Sequence, residues 1–146
     1  GGSPFRDRRV LDAFAGTGAL GLEALSRGAA HASFMELGAA PRRVLAENIA
    51  ALGETAYATI IAGDATKPAA GLAPVALALL DPPYGKELGS KALAALARPG
   101  WLAPEALAVV EIGVLEKFPA LEGFTVEDER RYGVAKRVFL RWAPPN

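Results

Sequence analysis

Short apolar runs alternate with alanine- and leucine-rich segments along nearly the whole chain, and this alternation constrains the fold more than any other feature. Val10–Phe14 reads as a short buried strand, and Ala19–Arg27 as a helix stopped by Gly28. Ala32–Glu36 is a second strand. A helix from about Ala40 to Leu52 follows, closed by Gly53, with Val44, Leu45, Ile49 and Leu52 on one face. Tyr57–Ala62 reads as a third strand, and Val75–Leu80, apolar throughout, as a central parallel one. Glu87–Ala97 is a further helix and Ala106–Ile112 a fifth strand. Phe124–Arg130 and Arg137–Trp142 end the series, joined through Arg131-Tyr132-Gly133. Strand–helix alternation predicts an α/β domain with parallel strands and right-handed crossovers. The last two strands lie too close in sequence for a crossover and predict an antiparallel hairpin.

The chain of 146 residues is the size of one domain, and residues 1–146 are read as a single catalytic unit. Half of its residues are hydrophobic, which suits a packed core rather than disorder. It has no cysteine, which excludes disulfides, zinc–thiolate sites and thiol nucleophiles, and fits a reducing cytoplasm. The single histidine, His31, excludes a multi-histidine metal site; no metal is expected. No run approaches the roughly 20 apolar residues that span a bilayer, so no membrane role is expected. Sixteen basic residues balance sixteen acidic ones, which counts against a strong grip on a phosphate backbone.

Two loops carry the chemistry. The first, Asp12-Ala13-Phe14-Ala15-Gly16-Thr17-Gly18-Ala19-Leu20-Gly21, joins the first strand to the first helix. It sits at the carboxyl end of a strand, where open α/β sheets bind ligands. Gly16, Gly18 and Gly21 also satisfy the dinucleotide pattern, so a nicotinamide oxidoreductase is a rival reading. Asp12 separates the two. A carboxylate at this turn repels a pyrophosphate but suits S-adenosylmethionine, whose sulfonium and ammonium are both positive. Glu36, ending the second strand, is placed to accept from both hydroxyls of a ribose. Asp64, in Gly63-Asp64-Ala65, is placed either to accept from an adenine amino group or simply to form a turn.

The second loop, Asp81-Pro82-Pro83-Tyr84-Gly85, follows the fourth strand directly. Two prolines hold the backbone extended and leave carbonyls without N–H groups. An exocyclic amino group of a base is a poor nucleophile, because its lone pair is delocalised into the ring. Asp81 and the Pro82 carbonyl are suited to accept its two N–H bonds and hold the nitrogen in line with a methyl donor. Tyr84 offers a ring on which a splayed-out base can stack.

Together and in this order the loops look like the Rossmann-like class I methyltransferase fold: a mostly parallel seven-stranded sheet, a terminal antiparallel hairpin, and helices on both faces. The run from Leu11 to Ala29 resembles the bacterial RsmD family, as do Asn48-Ile49, Leu52-Gly53, Gly63-Asp64-Ala65, Leu80–Gly85 and Arg131-Tyr132-Gly133 followed by Lys136. The resemblance implies methylation of the N2 amino group of a guanine in 16S ribosomal RNA, with S-adenosylmethionine as cofactor. It implies that Asp12, Phe14, Ala15, Gly16, Thr17, Gly18, Glu36, Asp64 and Ala65 line the cofactor site. Asp81, Pro82, Pro83 and Tyr84 would hold the base. It also implies a monomer acting in the cytoplasm on an assembling small ribosomal subunit. Family members carry a basic segment and a helix before the first strand, whereas Val10 comes almost at once here. The expectation is therefore an RNA-gripping segment before residue 1, and an apolar sheet face where its helix would lie. Gly1-Gly2-Ser3 reads equally as native loop or as a remnant.

Adenine-N6 methylation on DNA or RNA shares the Asp-Pro-Pro-Tyr loop and remains the alternative chemistry. A non-catalytic cofactor-binding module is a further one, against which the intact Asp81 and Tyr84 count. Trp101 and Trp142 read as core, and His31 is given no role. Glu111, an acid inside an apolar strand, needs a partner and is expected to face a basic residue of the last hairpin. Arg8-Arg9, Arg42-Arg43, Arg130-Arg131 and Lys136-Arg137 read as solvated pairs unless the fold gathers them on one face.

Overall fold

The computed structural model describes residues 4–71, 73–98 and 100–145; Gly1-Gly2-Ser3 lies outside them. The chain runs β1 (Arg9–Asp12), α1 (Ala19–Ser26), β2 (His31–Glu36), α2 (Ala39–Ala51), β3 (Ala58–Ala62), β4 (Val75–Leu80), α3 (Leu88–Leu96), β5 (Leu102–Gly113), β6 (Phe124–Tyr132) and β7 (Ala135–Trp142). The strands form one seven-stranded sheet in the order β3-β2-β1-β4-β5-β7-β6. β1 to β5 pair in parallel, and β7 runs antiparallel to both β5 and β6. This is the class I methyltransferase arrangement that the two loops imply.

Both faces of the sheet are packed against helices. On one face Phe34, Leu45, Ile49 and Leu25 bury α1 and α2. On the other, α3 seats Leu93 and Leu96 against Leu11, Leu80, Val110 and Val138. Trp101 and Trp142 are buried, as expected for core residues. The Trp101 indole N–H donates to the Ala69 carbonyl at 2.6 Å, and Trp142 lies 4.8 Å from the Phe124 ring.

Several details differ from the sequence reading, three of them for clear local reasons. β3 starts at Ala58, because Thr55–Tyr57 forms a 3₁₀ turn. β5 is longer, reaching back to Leu102. Its ladder with β4 is interrupted between Leu102 and Leu107, where Glu105 has φ 66°, so Pro104-Glu105 breaks the apolar pattern without ending the strand. On α2 only Leu45 and Ile49 are buried; Val44 and Leu52 are 40% and 62% exposed. α2 packs beside the sheet edge, so its apolar stripe is wider than the surface available to cover it.

Gly21 sits on α1 where the helix crosses β2. A Cβ there would lie 2.3 Å from Phe34 Cε2, and Phe34 is fully buried. Gly21→Ala is therefore expected to destabilise the fold by about 1–3 kcal/mol through overpacking. Urea denaturation reads this directly; an unchanged midpoint would mean that the Phe34 ring can move aside.

Candidate active site

β1 and β4 are neighbours, with Asp12 opposite Leu79. The strand order reverses between them, and open α/β sheets form a crevice beyond the strand ends at such a point. The glycine loop leaves β1 and the Asp-Pro-Pro-Tyr loop leaves β4, so the two chemistry-bearing loops emerge side by side. Backbone bonds hold the first in place: Ala13 N–H donates to Leu79 O and Ala15 N–H to Met35 O, both at 2.9 Å.

A cleft of about 550 Å³ opens here. Phe14, Gly16, Glu36, Asp64, Ala65, Asp81, Pro82 and Pro83 line it, together with Ala13, Met35, Leu37, Gly63, Thr66 and Leu88. Eight of the residues read from the sequence thus meet in one place. Glu36 does more than end β2. Its Oε1 accepts from Gly16 N–H at 2.8 Å and its Oε2 from Gly38 N–H at 2.7 Å, so one carboxylate pins the glycine loop to the start of α2. Each carboxylate oxygen retains a lone pair for a further donor. Asp64 forms the turn that the sequence offered as one of two roles: Oδ1 accepts from the Thr66 N–H and hydroxyl at 2.9 and 2.7 Å. Those bonds hold its carboxyl below its ordinary pKa, and Oδ2 remains to accept from a ligand.

Five of the expected residues lie elsewhere. Asp12 is buried beneath the glycine loop and does not line the cleft. Its Oδ2 accepts from Gly21 N–H at 2.9 Å, in the first turn of α1, while Oδ1 is buried with no hydrogen-bond partner among the described residues. This internal carboxylate occupies the positive end of the helix, a position where helices commonly bind phosphates. Burial pushes the Asp12 carboxyl up to about 6, opposed by the Gly21 bond and reinforced by the charges of Asp81 and Glu36. Ala15 is buried, and Thr17 is exposed with its carbonyl accepting from Asn48 Nδ2 at 2.9 Å. Gly18 caps α1 with φ 99° and packs on Leu22 and Leu45. These three shape the loop and do not line the cleft. Tyr84 does not line this cleft and is half exposed.

A second cleft, about 430 Å³, lies on the α1 face of the sheet. Leu79, Val109 and Phe139 from three adjacent strands form its floor; Leu20 and Glu23 of α1, with Arg27 just beyond its end, form a wall. Asp81, Glu111 and Arg137 stand at its end, so Asp81 lines both clefts. Glu111 meets the basic partner expected for it, with Arg137 Nε at 3.5 Å from Oε1, and its Oε2 accepts from the Tyr84 hydroxyl at 3.2 Å. Partial desolvation, then a hydrogen bond to Glu111 and that residue's charge, push the Asp81 carboxyl up to about 6, while Arg137 acts in the opposite sense. The loop is braced from below by Glu116, which accepts from Gly85 N–H at 3.3 Å and from Gly113 N–H.

The paired basic residues are only partly gathered. Arg130 faces Arg137 across the β6–β7 hairpin. Arg27, Arg130, Arg137 and Arg141 are each ion-paired, with Glu23, Asp128, Glu111 and Glu127. Arg42 turns inward to the carbonyls of Glu36 and Leu37. Sequence reasoning missed Leu37, 66% exposed at the cleft, and Thr66, which holds Asp64. Their positions directly after Glu36 and two residues beyond Asp64 were the only available signal.

Known proteins resemble this chain in sequence and in fold. The model of the family described as conserved hypothetical protein 95 matches residues 2–141. The ribosomal RNA small subunit methyltransferase D of Escherichia coli K12 is 37% identical over 140 residues, covering 94% of this chain and 70% of that protein. A crystal structure described as a candidate methylase of Haemophilus influenzae superposes with a TM-score of 0.86 at 28% identity, over 96% of this chain and 89% of that one. A candidate methyltransferase of Escherichia coli does so with a TM-score of 0.86 at 32% identity, over 97% and 79%. The chain belongs to this family, that of the ribosomal RNA small subunit methyltransferase D proteins.

Proposed function

We propose that the chain transfers a methyl group from S-adenosylmethionine to the exocyclic N2 amino group of a guanine in small-subunit ribosomal RNA. The observation that carries this reading is the position of Asp81, in the wall shared by the two clefts. A cofactor in the first and a base in the second would meet at its carboxylate.

The residues of the first cleft fit the cofactor. Glu36 would accept from the ribose hydroxyls, Asp64 Oδ2 from the adenine amino group, and Leu37 would cover an adenine face. The unpartnered Oδ1 of Asp12 puts negative charge under the loop, which suits a ligand with two positive centres. When bound, S-adenosylmethionine supplies an electrophilic methyl on a sulfonium. Asp81 accepts one N–H of the guanine amino group and the Pro82 carbonyl the other, which directs the nitrogen lone pair at that methyl. With the donor bound, Asp81 would take the proton that the amino nitrogen loses on being methylated and pass it to solvent.

The described residues form one continuous sheet, which supports reading the chain as a single catalytic unit. A monomer is the state we infer. The edge strand β6 carries Glu127, Asp128, Glu129, Arg130 and Arg131, and such charges oppose pairing with another sheet. Ribosomal RNA in an assembling small subunit is the substrate we infer from the relatives, and the cytoplasm the site of action.

The direct test is to incubate the protein with methyl-labelled S-adenosylmethionine and, separately, ribosomal RNA, transfer RNA and DNA, then identify the labelled base by mass spectrometry. Label on guanine N2 of small-subunit RNA is expected; label on adenine N6 would favour the alternative chemistry.

A pH profile tests Asp81. Asp81 must be ionised to take up the proton that the nitrogen gives up, so kcat/KM is expected to reach its plateau above about pH 6 and to fall as pH drops through about 6. Stability should move the other way. Asp12 and Asp81 both have folded pKa values raised to about 6 from an ordinary 3.8, so protonating them favours the folded state. Activity lost together with cooperative unfolding between pH 7 and 5 would contradict this assignment.

A further inference from the structure

Resting on the guanine reading above, we propose that Glu111 and Arg137 read the hydrogen-bonding edge of the target base and make the site specific for guanine over other purines that carry the same amino group.

Sheet register places these residues in a row. Leu80 pairs with Val110 in parallel, so Asp81 follows beside Glu111. Glu111 pairs directly with Arg137 across the antiparallel β5–β7 ladder. The three side chains come from adjacent strands, roughly 4.8 Å apart, and line one end of the second cleft. Glu111 interrupts a run of Ala108, Val109, Val110 and Ile112, and its side chain is 24% exposed. An acid here has a desolvation cost that an apolar residue would not.

Read across the strands, the row presents an acceptor, an acceptor and a donor. Guanine presents the complement: N2–H, then N1–H, then the O6 acceptor. With N2 on Asp81, N1–H would fall to Glu111 and O6 to Arg137. The described hydrogen bond of Arg137 uses Nε and leaves both Nη groups to donate. Adenine, offered by its N6 amino group, would set the N1 lone pair against the Glu111 carboxylate. Two acceptors facing each other in a partly dry site reject that base, which is selection by an unfavourable contact as well as a favourable one.

A purely structural role for Glu111 is the competing account, because it also holds the Tyr84 hydroxyl and the Arg137 guanidinium. The two accounts part on base analogues. The target nucleotide, once mapped, is replaced in synthetic small-subunit RNA by 2-aminopurine, which keeps the 2-amino group but has an unprotonated N1 and no O6. A second substitution is 2,6-diaminopurine, which also has an unprotonated N1 and carries an amino donor in place of O6. The wild-type protein is expected to favour guanine over 2-aminopurine by about 100-fold in kcat/KM. Glu111→Gln, nearly isosteric, can turn its amide N–H toward the bare N1, and should narrow that ratio at least tenfold with cofactor affinity unchanged. Arg137→Gln should narrow the ratio of guanine to 2,6-diaminopurine, since its amide oxygen can accept from the 6-amino group. Tyr84→Phe removes the hydrogen bond to Glu111 but leaves the carboxylate, and should leave the base ratios as in wild type. Wild-type ratios in Glu111→Gln, or the same narrowing in Tyr84→Phe, would overturn the proposal while guanine methylation itself stands. Label on adenine N6 with the wild-type protein would overturn both the proposal and the reading it rests on, and the mapped product tells these failures apart.

Discussion

Asp81→Ala is expected to cut turnover by about 100-fold or more while leaving cofactor affinity nearly intact. Asp81 is the only described residue that both clefts share among those able to accept a proton or an N–H bond. Its contribution grows as charge develops on the attacking nitrogen, so its loss falls on kcat rather than on cofactor binding. A single well-placed electrostatic partner of this kind contributes about 2.7–4 kcal/mol to the transition state. The cofactor side should be spared, because the glycine loop is held by Glu36, Asp12 and backbone bonds that do not involve Asp81. Single-turnover rates give the chemistry, and titration calorimetry with S-adenosylmethionine gives the binding. Full turnover in Asp81→Ala would reduce the Asp-Pro-Pro-Tyr loop to a strand exit. Asp81→Asn refines the result: it keeps the shape but loses the charge, and should retain little of the lost rate.

Glu36→Ala is expected to weaken S-adenosylmethionine binding by about 30- to 100-fold, or about 2–3 kcal/mol. Two effects combine. The ribose loses its acceptor, and the Gly16 and Gly38 N–H groups lose the carboxylate that ties the glycine loop to the start of α2. Hydrogen bonds to a charged group contribute about 1.5–3 kcal/mol each when partly buried, although the freed N–H groups can turn to water here. The loss should therefore exceed that of a residue that only touches the ligand. Calorimetry should show the weaker binding alongside a lower melting temperature of the free protein. Unchanged affinity would mean that the ribose lies elsewhere in the cleft. Normal stability with weakened binding would mean that Glu36 serves the ligand alone.

Most of the architecture was legible in the chain because it rests on patterns that local physics enforces. An apolar run such as Val75–Leu80 has no stable place except between two covered faces, and a glycine-rich turn after a strand leaves few alternatives. The hairpin of β6 and β7 followed from proximity in sequence. The errors sit where packing overrides local preference. Val44 and Leu52 obey helical spacing yet stay exposed, because the sheet edge ends before the stripe does. Pro104-Glu105 looked like the outside of β5 and is instead a kink within it.

The site divides in the same way. Which residue types gather at the strand ends was fixed by the order of the elements: Glu36 is the last residue of β2, Asp64 lies two residues beyond β3 and Asp81 directly follows β4, so they meet at the carboxyl ends of the parallel strands. What each does there was decided only by the tertiary structure. Asp12 looked like a ligand for a positive cofactor. In the structure one oxygen accepts from Gly21 N–H in the first turn of α1, whose positive end attracts the carboxylate, and the other is buried beneath the loop. Glu111 was readable as an acid in need of a partner. That the partner is Arg137, and that both stand in line with Asp81, depends on the β4–β5 and β5–β7 registers. A register brings together residues 26 to 30 positions apart in sequence, and a one-residue slip would turn each side chain to the opposite face of the sheet.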